Sequence, residues 1–191
     1  MHPVNITGPR LQLRELHSRD VDALHAIQGD ADVTRHMKLE PRTREEVEHA
    51  ISCSITSAGA EPRNIYMLAV VCSEERQLIG YADLDLDPFA EKAATIGFML
   101  RPDIWGRGLG TEVVHLLCAL GFHHLGLHRI WATRSPLNAA SGKTLLKAGM
   151  TEDGRIRDHV FVDGAWRDSI TYSVLNHEWQ APEGICVSTC S

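Results

Sequence analysis

The most informative segment of the chain reads Trp105-Gly106-Arg107-Gly108-Leu109-Gly110-Thr111. Its three alternate glycines allow the backbone to adopt positive φ values and to approach a ligand closely. An apolar stretch typical of a strand precedes the segment, and a stretch with helical spacing of apolar residues follows it. The amide N–H groups of such a loop and of the next helix N-terminus converge on an anion. We therefore predict a pyrophosphate-binding loop, with a tight turn that holds no ligand as the alternative.

Two other phosphate-binding patterns do not fit this chain. A dinucleotide fingerprint that starts at Gly106 requires a third glycine where Thr111 stands. Gly142-Lys143-Thr144 matches the end of a P-loop, but the first glycine of that motif would replace Leu137. Neither a dinucleotide fold nor a P-loop fold is therefore predicted.

Strands and helices alternate on both sides of the glycine loop. The capping-box pair Thr43 and Glu46 marks the start of one helix, and Asp163-Gly164 marks a hairpin near the C-terminus. We predict one α/β domain over residues 1–179, with a mixed sheet and helices on its faces. Residues 180–191 are typical of a flexible tail. The predicted strands span 10–16, 65–71, 78–86, 93–100, 129–133, 158–162 and 166–174, and the other helices 18–28, 111–125 and 139–148.

Composition argues against several classes of protein. A net charge of −6 without a basic patch disfavours nucleic-acid binding. No apolar run approaches the roughly 18 residues that cross a bilayer, and the N-terminus does not resemble a signal peptide, so a cytoplasmic protein without membrane contact is expected. Five scattered cysteines do not suggest a disulfide framework. Cys186 and Cys190 lie in the predicted tail, where pairing or metal binding is the alternative to simple mobility.

Several separated motifs together resemble one family, the GNAT acetyltransferases, and within it the Rim-type branch of ribosomal-protein N-terminal acetyltransferases. The resemblance runs from Ile6 to Trp179 and implies a GNAT fold, with a mixed, mostly antiparallel sheet flanked by helices on both faces. It also implies acetyl-CoA as cosubstrate and no metal. The motifs are Ile96-Gly97-Phe98-Met99-Leu100, Trp105 to Glu112, Asn138-Ala139-Ala140-Ser141, Lys147-Ala148-Gly149-Met150, Arg157 to Gly164 and Trp166-Arg167-Asp168.

The resemblance implies a role for each coenzyme-binding motif. Phe98, Met99 and Leu100 should splay from the neighbouring strand and offer backbone groups to the pantetheine arm and the acetyl carbonyl. Asn138 should hydrogen-bond that arm, and Ser141 should lie near its sulfur. Trp105 stands where the family usually has Gln or Arg, a variant common in this branch. The pyrophosphate loop comprises Gly106, Arg107, Gly108, Leu109, Gly110 and Thr111.

The catalytic groups are less strongly indicated than the coenzyme loop. The backbone N–H of Met99 or of a neighbour is expected to stabilise the oxyanion. Leu145 stands where many members carry a Tyr acid, so the branch suggests the Ser141 hydroxyl, whose alternative role is a bond near the helix start.

The sequence also leaves more than one candidate for the general base. Thr95 stands where relatives often have Glu and cannot serve as a base. Asp83 and Asp85 are the candidate replacements, against a solvated strand face or an activated water as alternatives.

The acceptor is expected to be an amine, either a peptide or protein N-terminal α-amine or a small molecule. An antibiotic or other metabolite amine is an alternative, as is a non-catalytic acyl-CoA-binding module, and the chain is expected to be a monomer or homodimer. Substrate choice is expected to lie in the loops, because the fold and cofactor motif are shared across activities. These loops are His36–Arg44, Ser57–Asn64 and His159–Trp166.

Overall fold

One large sheet organises the molecule. A computed structural model describes residues 3–35, 41–162 and 164–187. The strands are β1 (Asn5–Thr7), β2 (Leu11–Glu15), β3 (Ile65–Cys72), β4 (Leu78–Leu86), β5 (Ala93–Leu100), β6 (Arg129–Arg134), β7 (Thr151–Val162), β8 (Ala165–Leu175) and β9 (Cys186–Val187). Their spatial order among the described residues is β7-β8-β6-β5-β4-β3-β2-β1-β9. Within the described ranges only β5 and β6 pair in parallel, so the sheet is mixed and mostly antiparallel, as predicted.

Helices connect these strands. The predicted capping box is present at the start of the longest helix, where the Thr43 side chain accepts from the Glu46 N–H and Glu46 from the Thr43 N–H. The helices are α1 (Val21–Gln28), α2 (Ala31–Thr34), α3 (Arg44–Ala58), α4 (Leu109–Ala119) and α5 (Ala139–Lys147). In the part of the chain that the structure describes, no helix is long and apolar enough to cross a membrane.

Different helices cover the two faces of the sheet. Because side chains alternate along a strand, Leu84 and Ile96 point to the face covered by α4 and α5, within the main core. Met99 and Ala69 point to the opposite face, where they pack with residues of α1 and α3. These two helices contact β3 and β4, whereas the same face of β6 and β8 carries mainly polar side chains. Helices therefore flank both faces, as the resemblance implies.

Part of the segment predicted to be a flexible tail pairs with the sheet. Ile6 pairs with Val187 and Thr7 with Cys186, so the segment returns to the sheet and adds β9 beside β1. Trp179 is 8% exposed and packs against Phe122, which anchors the start of this return. Cys190 lies outside the described residues, and Cys186 is a free, exposed thiol.

The helix predicted over 111–125 is also not uniform. It begins two residues earlier, at Leu109, and changes into a π-helical turn over Leu120–His124. Gly121 lies inside this turn, where a Cβ would be 2.6 Å from Ile130 Cδ1. The close approach to β6 therefore requires a residue without a side chain.

Candidate active site

A cleft opens between β5 and β6. The two strands pair only where Ala93–Thr95 meets Arg129–Trp131. Beyond Thr95, β5 stays paired with β4 up to Leu100, while β6 stays paired with β8 up to Arg134. The two halves of the sheet therefore diverge, and this splay of β5 from its neighbour leaves room for an extended ligand between them.

The hydrogen-bond pattern of β4 and β5 shows which backbone groups face the cleft. At the two ends of the ladder, the Asp87 N–H donates to the Ala93 carbonyl (2.8 Å) and the Arg101 N–H to the Ile79 carbonyl (3.0 Å). Backbone groups alternate in direction along a strand, so the odd-numbered residues of β5 point to β4 and the even-numbered residues point to β6. The backbone groups of Phe98 and Leu100 therefore face the cleft.

This alternation corrects the assignment of Met99. Its N–H is directed toward Tyr81 of β4. Its side chain is 4% exposed and packs on the face of the sheet that α1 and α3 cover. Met99 therefore offers neither an oxyanion donor nor a coenzyme contact in the cleft. Its neighbour Phe98 has the N–H in the required direction.

Trp105 uses one of the groups expected to bind the coenzyme. Its indole N–H donates to the Leu100 carbonyl oxygen at 2.8 Å, and its side chain is half exposed. The Leu100 carbonyl is therefore engaged, which leaves its N–H for a ligand. The indole also ties the end of β5 to the glycine loop, a role that the sequence did not suggest.

The glycine loop has the conformation that an anion site requires. Gly106 and Gly108 adopt φ values of +78° and +76°, in the left-handed region that favours glycine. Gly108 immediately precedes α4, whose first N–H groups have no partner within the helix. The loop and helix start therefore present backbone donors on one side, and these residues fit a pyrophosphate group.

Gly110 lies where α4 packs closely against β5 and α5. A Cβ at this position would lie 3.1 Å from Thr144 Cγ2 and 3.2 Å from Phe98 Cε2. The loop, β5 and α5 therefore meet at Gly110. Any larger residue would press on Phe98, whose backbone faces the cleft.

Asn138 and Ser141 lie at the start of α5. The Asn138 Oδ1 accepts from the Ser141 N–H at 3.0 Å, so Asn138 caps the helix and keeps its side-chain N–H₂ as a donor. Ser141 precedes Thr144 by one helical turn and shares its side of the helix. Among the described residues its hydroxyl makes no hydrogen bond. Leu145 is 2% exposed in the core and does not line the cleft.

Asp83 and Asp85 lie on the sheet face opposite α4. Asp83 is opposite Gly97 and Asp85 is opposite Thr95, so both point to the same face. Burial and, to a lesser extent, the charge of Asp85 raise the pKa of Asp83 to about 7, and a hydrogen bond from Tyr81 partly opposes this shift. The Asp83 side chain is partly buried. Its partner across the ladder is Gly97, the residue before Phe98, so Asp83 lies closer to the cleft than Asp85.

Asp85 lies on the same face of the sheet as Asp83 but farther from the cleft. Its pKa is raised by burial, and its Oδ1 is buried without a hydrogen-bond partner among the described residues. A cavity of about 280 Å³ opens near the end of β4 and the start of β5. The cavity is lined by Asp87, Ala90, Ala93, Arg129, Trp131 and Thr171. Of the loops expected to shape acceptor choice, residues 36–40 and Asp163 lie outside the described residues.

Comparison with known proteins agrees with this geometry. Residues 10–151 match the sequence profile of the acetyltransferase (GNAT) domain. The chain belongs to the GNAT acetyltransferase family. It is 32% identical over 177 residues to the uncharacterised N-acetyltransferase YoaA of Bacillus subtilis, covering 92% of this chain and 98% of that protein.

Two further comparisons give one relative with a named substrate and one solved structure. It is 26% identical to the [ribosomal protein uS5]-alanine N-acetyltransferase of Escherichia coli, covering 92% of this chain and 93% of that protein. A GNAT acetyltransferase structure from Bacillus anthracis superposes with a TM-score of 0.81 at 26% identity, covering 91% of this chain and 99% of that one.

The family membership makes this chain an acyltransferase of the type that uses acetyl-CoA. The alternative of a non-catalytic binding module is therefore not supported. Among the described residues, no group of three or more His, Cys, Asp or Glu side chains is arranged to hold a metal ion.

Proposed function

We propose that this GNAT enzyme transfers the acetyl group of acetyl-CoA to a peptide or protein N-terminal α-amine or to a small amine. The observation that carries the proposal is the position of Asp83 beside the cleft, on the face opposite the coenzyme loop. The donor and the acceptor would then reach the cleft from opposite faces of the sheet. An acidic face suits an acceptor that arrives as a cation.

The proposed reaction is a direct transfer between the two substrates. The ammonium form of an α-amine, with a pKa of about 8, loses a proton to the Asp83 carboxylate, directly or through water. The nitrogen bonds to the thioester carbonyl carbon while the Phe98 N–H donates to the oxyanion. The C–S bond then breaks while the nitrogen gives up its second proton to water. The thiolate takes a proton from the Ser141 hydroxyl, which regains one from water.

The uS5-alanine relative supports the α-amine as the first acceptor to test. Acetyl-CoA would be incubated with the enzyme and a panel of α-amine peptides, N-terminally blocked lysine peptides, small amines and amine antibiotics. Thiol release and a mass gain of one acetyl group are expected with at least one α-amine peptide or small amine. Transfer confined to antibiotic amines would favour the alternative substrate class. Acetyl-CoA binding without transfer to any amine would contradict the proposal.

A further inference from the structure

One carboxylate joins the turn between β1 and β2 to the start of α4. Glu112 is 8% exposed, and its Oε1 accepts from the backbone N–H groups of Arg10 (2.8 Å) and Leu11 (2.9 Å). Its Oε2 accepts from Arg10 Nε at 2.8 Å. A Cβ on Gly8 would lie 2.9 Å from Glu112 Oε1, so the turn fits closely around this carboxylate. The contact links segments about a hundred positions apart in the chain.

The same guanidinium reaches the glycine loop. Arg10 Nη1 donates to the Arg107 carbonyl oxygen at 3.0 Å. In a trans peptide, the carbonyl of one residue and the N–H of the next point in opposite directions. The bond from Arg10 therefore turns the Gly108 N–H away from the guanidinium. The φ of +76° at Gly108 then leads directly into α4.

We propose that Arg10 is a positioning residue for the coenzyme. Held by Glu112, it fixes the Arg107 peptide so that the Gly108 N–H faces the pyrophosphate. The inference rests on the proposed function, because it requires that the loop over 106–111 binds that group. Arg10 acts through the loop backbone, so its loss affects the pyrophosphate end of the coenzyme and spares the pantetheine end.

The test compares two ligands that share the acetylated pantetheine arm. S-acetylpantetheine lacks the pyrophosphate and the nucleotide, and its dissociation constant is measured by competition in calorimetric titrations of acetyl-CoA. For Arg10→Gln we expect acetyl-CoA to bind about tenfold more weakly, the scale of one charge-assisted hydrogen bond. The affinity for S-acetylpantetheine should change less than about twofold, well under 1 kcal/mol.

Two further variants complete the design. Arg10→Lys keeps the charge beside Glu112 but lacks the planar fork that reaches two acceptors, so its affinity for acetyl-CoA should fall between those of wild type and Arg10→Gln. It also carries the test if Arg10→Gln does not fold. Arg19→Gln changes an exposed arginine before α1 and should leave both dissociation constants unchanged.

Each remaining outcome has a defined meaning. Equal weakening of both ligands in a folded Arg10 variant would overturn the proposal, because a merely structural role disturbs the whole site. Unchanged affinity for acetyl-CoA would overturn it as well. If the wild-type enzyme binds the two ligands equally tightly, the pyrophosphate assignment of the loop itself fails. That result is visible without any variant, so the two failures are distinguishable.

Discussion

The Asp83 carboxylate packs against the α-carbon of Gly97 across the β4–β5 ladder. A Cβ at Gly97 would lie 2.8 Å from Asp83 Oδ1 and 3.0 Å from Oδ2. The absence of a side chain at Gly97 therefore sets the position of the carboxylate beside the Phe98 backbone. This contact connects the proposed base on one strand with the proposed oxyanion donor on the next.

Replacing the proposed base should reduce turnover without affecting the donor. Asp83→Asn removes the proton acceptor, so we expect kcat to fall by about 100-fold or more. The dissociation constant of acetyl-CoA should change little, because Asp83 lies on the opposite face of the sheet from the coenzyme loop. Steady-state kinetics and calorimetry measure the two quantities, with exposed Asp22→Asn as the control. A loss below about threefold would leave water as the better candidate base.

The pH dependence of wild-type activity should report the same carboxylate. Asp83 accepts a proton only when ionised, so kcat/KM should rise as pH increases through about 7. The charge of Asp85 helps to raise this pKa, and Asp85→Asn should therefore move the rise to lower pH. A pH-rate profile of both proteins gives the comparison. An unchanged midpoint in Asp85→Asn would show that another group controls the profile.

The stability of Asp83→Asn provides an independent check. The pKa of Asp83 is raised on folding, so ionisation costs stability between the unfolded value of about 3.9 and the folded value. That cost is absent below this window and complete above a pH of about 7. Relative to wild type, the variant should therefore gain melting temperature at pH 8 but not at pH 4. Thermal unfolding at the two pH values measures the difference.

Gly97→Ala should displace the carboxylate without removing it. The added methyl group would contact both oxygens of Asp83, so the carboxylate must move by a few tenths of an ångström or more. We expect kcat to fall by about tenfold to a hundredfold, since small displacements of catalytic groups have large effects. Gly59→Ala is the matched control, because its nearest contact would be 3.8 Å away. Equal activities of the two variants would argue against a precise requirement for Asp83.

Gly108→Val tests the coenzyme loop. A β-branched residue disfavours the φ of +76° and blocks the approach of a phosphate group, so acetyl-CoA binding should weaken strongly. Gly126→Val carries a similar backbone cost at φ +63° outside the site, and it should retain binding. Calorimetric titration of both folded variants separates strain from lost contacts. Wild-type affinity in Gly108→Val would rule out the pyrophosphate assignment.

Ser141→Ala tests the proposed acid for the leaving thiolate. We expect turnover to fall by about tenfold to a thousandfold, which brackets the effect of one proton-transfer group. The change should be smaller with an acyl donor whose thiol has a lower pKa, because a better leaving group needs less protonation. Ser52→Ala on the exposed side of α3 is the control. Full turnover in Ser141→Ala would reduce the serine to a residue at the helix start.

Much of the local structure followed from local signals. The predicted bounds of β4 and β5 agree with the structure to the residue, and the capping box at Thr43 is present. These features depend on side-chain alternation and on contacts within a few positions. The positive φ values of Gly106 and Gly108 are likewise local, and the glycine pattern predicted them.

The remaining features depend on contacts between distant parts of the chain. The strand bounds of β5 do not say whether Phe98 or Met99 turns its N–H toward the cleft, because that depends on the register with β4. The contact between Arg10 and Glu112 spans 102 positions and has no local signature. β9 has only two residues, which are too few for an alternating pattern. It is a strand because it pairs with β1, which is distant in the chain.

The pairing of β9 with β1 also affects how copies of this chain would meet. Unpaired strand edges can template association with other chains, and charged side chains and irregular pairing discourage it. At one edge of the sheet, β7 carries Asp153, Arg155 and Arg157 and has two breaks in its register with β8. At the other edge, β1 is covered by β9. We expect that removal of β9 would expose the unpaired edge of β1 and favour association between copies of the chain, without changing the cleft between β5 and β6.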